Sequence, residues 1–224
     1  MLNKIKKILK DAITKKIIGT ESDTAAKEDK IVLVDPSIIG LPSMDEEPDM
    51  RVIGLFTDVH EEKVAEVVQA FLYLNKGSST EGDQEDKKPI EFYISTYGGN
   101  ADDMFALYDV MNFIKEETEI HTIGLGKVMS AGVLLLAAGT PGKRKIGKNC
   151  RIMIHNVSGG TAGSLPNLAV ELEAIQQLQE DYVKALVSCT KLTQKKLTKM
   201  LSEKVNIYLS AEEAVELGIA DIIV

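Results

Sequence analysis

Two side chains in this sequence have the types and setting for acyl-transfer chemistry. Ser130, in GKVMSAGVLLLAAG, is followed by Ala131 and Gly132 and then by the apolar run Val133–Ala138. Such a run reads as a buried helix with Ser130 at its N-terminus, where free backbone N–H groups and the helix dipole favour negative charge. A serine so placed can attack a carbonyl while the same helix end stabilises the oxyanion that forms. His155, in RIMIHNVSGG, closes the strand-like run Ile152–Ile154 and has the chemistry of a general base. Each residue also has a structural reading. Serine is a preferred helix N-cap, and a histidine at a strand end can be a packing residue. Taken as a pair, they point to a serine hydrolase.

The blocks around them carry more. EFYISTYGGNADDMFALYDVMNFIK lies upstream of Ser130, GKVMSAGVLLLAAGTPGKRK and RIMIHNVSGG hold the pair, and NIYLSAEEAVELGIAD lies downstream. In this order they resemble the proteolytic subunit of the Clp protease, the ClpP family of serine peptidases. The resemblance runs from about Arg51, in RVIGLFTDV, to the C-terminus. It implies an α/β, ClpP/crotonase-like fold of repeated β-β-α units with a handle helix for ring stacking. It assigns Ser130 as nucleophile and His155 as base. Gly99, the second glycine of TYGG, and Ala131 match the two residues whose backbone N–H groups form the oxyanion hole. Glycine suits position 99 because the substrate backbone must approach closely there.

The third triad position, an Asp in the family, falls here on Asn206. An ionised Asp fixes the histidine tautomer and stabilises the imidazolium, and its replacement by Asn in a serine protease costs roughly four orders of magnitude. An Asn amide can offer the ring its oxygen or its NH2, and only the first leaves the other ring nitrogen free to act on Ser130. Asn does serve in Cys-His-Asn enzymes, so a Ser-His-Asn triad is chemically admissible. Glu203 is near enough in sequence to substitute, but its expected place at a helix end argues against it. Asp221, in GIAD, matches a position read as structural.

The resemblance further implies a homo-oligomer of heptameric rings, stacked in pairs, that hydrolyses unfolded protein or peptide in the cytoplasm. The chain has no G-x-x-x-x-G-K-[ST], so ATP dependence would come from a separate AAA+ unfoldase, a Clp ATPase, and no cofactor is implied. The strand leading to Gly-Gly and the segment Val157–Gly160 would take the substrate as an added β-strand. Three rivals stand beside this reading. One is a catalytically weak or inactive ring subunit for assembly or regulation, supported by Asn206. Another is a viral head-maturation peptidase on the same fold. The last is an acyl-CoA hydratase of the crotonase fold, against which the Ser/His pair and YDVMNFIK argue.

Composition narrows the classes. The 224 residues suffice for one ordinary domain with an extension. A net charge of −8 argues against nucleic acid as the main partner. No stretch reaches the length of a membrane span. Cys150 and Cys189 follow no metal spacing and suggest a reducing compartment, and with three histidines and no His/Cys cluster no catalytic metal is expected.

The elements that must position the chemistry read as follows. Residues 1–18 form a basic amphipathic helix, with Ile5, Ile8, Leu9, Ile13 and Ile17 at helical spacing among lysines, and residues 19–48 a linker. Together, 1–48 are an N-terminal extension to a peptidase domain over 49–224. Strands are expected over Val52–Phe56, Ile90–Ser95, Ile120–Gly124 and Arg151–His155. Helices are expected over Glu61–Leu74, Asp102–Ile114 and Leu165–Ser188, the last with Leu168, Leu172, Ile175, Leu178, Tyr182 and Leu186 as its apolar stripe, with a charged loop over Gly77–Lys88 and a turn at TPGKRK. The alternation predicts an α/β layered domain.

Overall fold

Alternating burial builds the centre of the sheet. In β2 (Ile90–Thr96) the residues Ile90, Phe92, Ile94 and Thr96 are buried and those between them half-buried, as expected of an interior strand covered on both faces. The computed structural model describes residues 50–77, 87–203 and 205–224. The basic helix over 1–18, the linker over 19–48 and most of the charged loop over 77–88 lie outside the described residues.

In chain order the elements are β1 (Val52–Leu55), α1 (Glu61–Gly77), β2, α2 (Ala101–Lys115) and β3 (Ile120–Met129). They continue as α3 (Ala131–Ala137), β4 (Lys145–Ile146), β5 (Arg151–His155), α4 (Leu165–Cys189), α5 (Gln194–Glu203), β6 (Asn206–Leu209), α6 (Ala211–Glu216) and β7 (Ile222–Ile223). The sheet runs β1-β2-β3-β4-β7 with all these pairs parallel, while β5 pairs with β3 in parallel and with β6 antiparallel. This is an α/β architecture of alternating strands and helices, consistent with the ClpP/crotonase fold.

β3 is longer than the sequence suggests. The expected strand stops at Gly124, because Gly124 and Gly126 break the apolar pattern, yet the strand continues to Met129. Gly126 sits at φ 64, and the β2–β3 register shifts between Ile94 and Thr96. This irregularity bends the strand. Its first half thereby pairs with β4 through Ile123 and Gly124, and its second half with β5 through Lys127–Met129. The bend therefore brings the ends of β3 and β5 side by side.

The core lies against the sheet. Val64, Val67 and Phe71 of α1 are buried, and Phe71 meets Phe92 edge-on at 5.2 Å between ring centroids. Every residue of α3 is buried. Arg144 is held by Asp221 through two bonds, Nη2 to Oδ1 at 2.6 Å and Nε to Oδ2 at 2.8 Å, and donates also to the carbonyls of Ala137 and Cys189. The guanidinium beside Asp221 holds that carboxyl below its usual range. Asp221 thus ties the C-terminal strand to the turn before β4.

β6 and α6 had no assignment from sequence, and α5 only an expected end at Glu203, where it does end. The start of α6 did carry a signal: Ser210 and Glu213 form a reciprocal capping box, which S-x-x-E announces. The apolar stripe of α4 divides in two. Tyr182 and Leu186 are buried, whereas Leu168 and Leu172, toward the N-terminal end, are 36% and 57% exposed.

Candidate active site

The chemistry collects at the C-terminal ends of neighbouring parallel strands, the usual place for a site in such a sheet. Ser130 follows β3 directly, and His155 is the last residue of β5. Met129 and Met153 are register partners, and the Ser130 N–H donates to the Met153 carbonyl at 2.8 Å. These contacts bring together two residues far apart in sequence. His155 Nε2 and Ser130 Oγ lie 2.7 Å apart.

Ser130 occupies the N-cap position of α3, but its side chain makes no cap bond and turns to His155 instead. Its backbone, at φ 52 and ψ −122, is the one non-glycine with positive φ among the described residues. A conformation of that kind costs of order 1–3 kcal/mol and persists where the surroundings impose it. Here the surroundings include Gly98, at φ 102, whose absent Cβ would lie 2.6 Å from Ser130 Cβ. The Gly98 N–H is fixed by Thr96 Oγ1 at 3.0 Å, and the buried Tyr182 donates its hydroxyl to the Ser130 carbonyl at 3.4 Å. Neither Gly98 nor Tyr182 stood out as a site residue in the sequence. The first glycine of the Gly-Gly pair was the only available hint for Gly98.

Gly99 and Ala131 flank the serine as amide donors. Gly99 bridges Val59, whose N–H donates to Gly98 O at 2.7 Å and whose carbonyl accepts from Asn100 N at 2.8 Å. In this parallel bridge the N–H of Gly99 points to the other side, and among the described residues it has no acceptor. A side chain at 99 would run into the Val59 carbonyl, so only glycine fits. Ala131, the first residue of α3, likewise has no acceptor for its N–H among the described residues. Two unpaired amides beside a serine hydroxyl are what an oxyanion hole requires.

A cavity of about 320 Å³ opens on this group, lined by Gly99, Ser130, Ala131, His155, Tyr182 and the segment Val157–Gly160 among others. The backbone groups of Ser158, Gly159 and Gly160 make no hydrogen bond among the described residues and line this cavity unpaired.

Asn206 stands directly opposite His155 across the antiparallel β5–β6 pair. Opposed residues share one face of a sheet, with Cβ atoms about 5 Å apart. Yet Asn206 is exposed, and no hydrogen bond joins it to His155 among the described residues. Glu203, the other candidate, ends α5 with its carboxylate 3.7 Å from Lys199. The imidazole therefore has no carboxylate partner among the described residues. Burial pushes the His155 pKa down from its ordinary 6.5.

The sign of that shift gives a test. A base works in its neutral form, and a lowered pKa keeps His155 neutral into mildly acidic solution. The acid limb of kcat/KM for a short peptide is expected to fall below pH 6.5. An acid limb above that value would show a carboxylate holding the ring.

The arrangement can take a proton from a serine hydroxyl, receive an oxyanion on two amides and hold an extended chain beside them. The family model described as Clp protease matches this chain over residues 44–224.

Proposed function

The chain belongs to the Clp protease family, and on that premise we propose that it is a serine endopeptidase subunit of a ring-shaped, chambered protease in the cytoplasm. The observation that carries the reading is the 2.7 Å contact between His155 Nε2 and the hydroxyl of a serine held at positive φ. Ser130 attacks the scissile carbonyl, and His155 takes its proton and returns it to the leaving amine. The amides of Gly99 and Ala131 receive the oxyanion. The segment Val157–Gly160 pairs with the substrate as an added strand, so main-chain bonds give affinity with little dependence on sequence.

Enclosure follows from that lack of selectivity, since an exposed serine peptidase would cut any flexible chain. The apolar residues exposed on the first half of α4, Leu165, Leu168, Val170 and Leu172, supply a surface for stacking rings. Residues 1–48 form an extension to the peptidase domain over 49–224, and a AAA+ unfoldase feeds folded substrates into the chamber. Asn206 favours a second reading, a ring subunit of low activity, because nothing among the described residues fixes the imidazole tautomer as an Asp would.

Size exclusion with light scattering, run beside a short-peptide assay, tests the chamber. A closed, symmetric particle of roughly ten or more subunits is expected. A monomer or dimer with full peptidase activity would contradict it.

A further inference from the structure

The missing carboxylate raises the question of what holds the chain next to His155. Beyond His155 the β5–β6 pairing ends, because His155↔Asn206 is its last register pair. The next two residues are instead tied to two helices, Asn156 by its own side chain and Val157 by its backbone amide. Asn156 Nδ2 donates to the Leu201 carbonyl of α5 at 3.0 Å. The Val157 N–H donates to Gln179 Oε1 of α4 at 2.6 Å, and Gln179 is half-buried.

Gln179 has company on its own helix face. Gly159 packs on Ile175, so closely that a Cβ at 159 would lie 2.8 Å from Ile175 Cδ1. Residues 175 and 179 are four apart on a helix and share a face, about 6 Å apart along the axis. One face of α4 therefore carries two successive supports for the segment, Ile175 against Gly159 and Gln179 at the Val157 amide. The next residues on that side, Leu178 and Tyr182, line the same cavity as Ser130.

The direction of the polar contact matters. With the Val157 amide turned into α4, the groups at Ser158–Gly160 are left without internal partners and free along the cavity. Without the acceptor, the Val157 N–H would be left unsatisfied in a half-buried place, and the segment could rotate to seek water. We propose, taking Ser130 and His155 as the reacting pair, that Gln179 is the positioning residue that sets the substrate-receiving strand. It acts through Val157 and touches no reacting atom. Its role is in substrate affinity rather than in proton transfer.

Gln179→Leu removes the acceptor at similar volume, and Gln179→Glu keeps an oxygen in place. Both variants are compared with the parent as full chains in the assembled state. Steady-state kinetics are measured on a peptide spanning both sides of the scissile bond. A small fluorophosphonate, which has no peptide backbone to pair, reports on Ser130 alone. Gln179→Leu should raise KM by about tenfold, the loss of one hydrogen bond of about 1.4 kcal/mol. Its kcat and labelling rate should stay within about twofold, and Gln179→Glu should recover the parent KM.

An unchanged KM in Gln179→Leu, with the parent labelled at Ser130, would overturn the positioning role and leave the peptidase reading standing. A Gln179→Glu variant as impaired as Gln179→Leu would also overturn it, since the acceptor would then be irrelevant. A parent that takes no label would overturn the peptidase reading and this role together. Amide exchange in the parent gives a check free of mutation: Val157 should exchange at least about tenfold more slowly than Ser158, Gly159 and Gly160. Equal rates at the four amides would refute the tether.

Discussion

Ser130→Ala is expected to lower the hydrolysis of a short peptide by at least about 10²-fold while leaving the fold and assembly intact. The size follows from how triad members act as a unit. In a serine protease, loss of the nucleophile alone costs about 2 × 10⁶ in kcat and loss of the carboxylate alone about 3 × 10⁴. A chain that already lacks the carboxylate starts from the lower level, so removing its serine takes away only the remaining factor of about 10². A larger loss would mean that Asn206 supports His155 better than its placement suggests. The substitution removes one oxygen and relieves no packing, although alanine must adopt the same positive φ. That constraint makes a melting curve a necessary companion measurement. Unchanged turnover in a folded, assembled variant would sink the mechanism.

Asn206→Asp is expected to raise turnover by an order of magnitude or more. Position 206 faces His155 directly across the β5–β6 pair, on the same face with Cβ atoms about 5 Å apart, so a carboxylate there is within reach of the imidazole. It would accept the Nδ1 proton, fix the tautomer with Nε2 toward Ser130 and stabilise the imidazolium in the transition state. The gain is bounded above by roughly four orders of magnitude, the cost of the reverse change in a complete triad. The pH profile should move with it. Burial alone holds the His155 pKa below 6.5 in the parent, and a neighbouring negative charge favours the protonated ring. The acid limb of kcat/KM should therefore shift upward in N206D. A fall in turnover, or an unmoved acid limb, would show that the site is built around the amide.

Much of this was legible in the sequence because the chemistry sits where patterns change. Ser130 precedes an apolar run that reads as a buried helix, and His155 closes a strand-like run, in a parallel sheet the place where a site forms. The Gly-Gly pair announced a close backbone approach, and both glycines do sit at positive φ. The helices α1, α2 and α4 followed from their apolar spacing, to within a few residues at each end. What stayed hidden depended on tertiary contacts. The strand expected to stop at Gly124 runs on to Met129 through Gly126, the bend that lets β3 serve two partners. Gln179 lies on a helix face whose polar character carries no sign that a distant amide will seek it. The stripe of α4 looked uniform, whereas only its C-terminal half meets the core, because composition does not say where a neighbour ends. Asn206 was visible as a departure, but its exposure and its lack of a bond to His155 were not.

The most direct measurement of the central claim is covalent. The purified assembly is treated with a fluorophosphonate and digested, and the modified residue is located by mass spectrometry. A single stoichiometric adduct on Ser130 is expected, abolished in Ser130→Ala and formed faster in Asn206→Asp. Absence of any adduct on Ser130 in the folded assembly, or an adduct on another residue that survives Ser130→Ala, would contradict that claim.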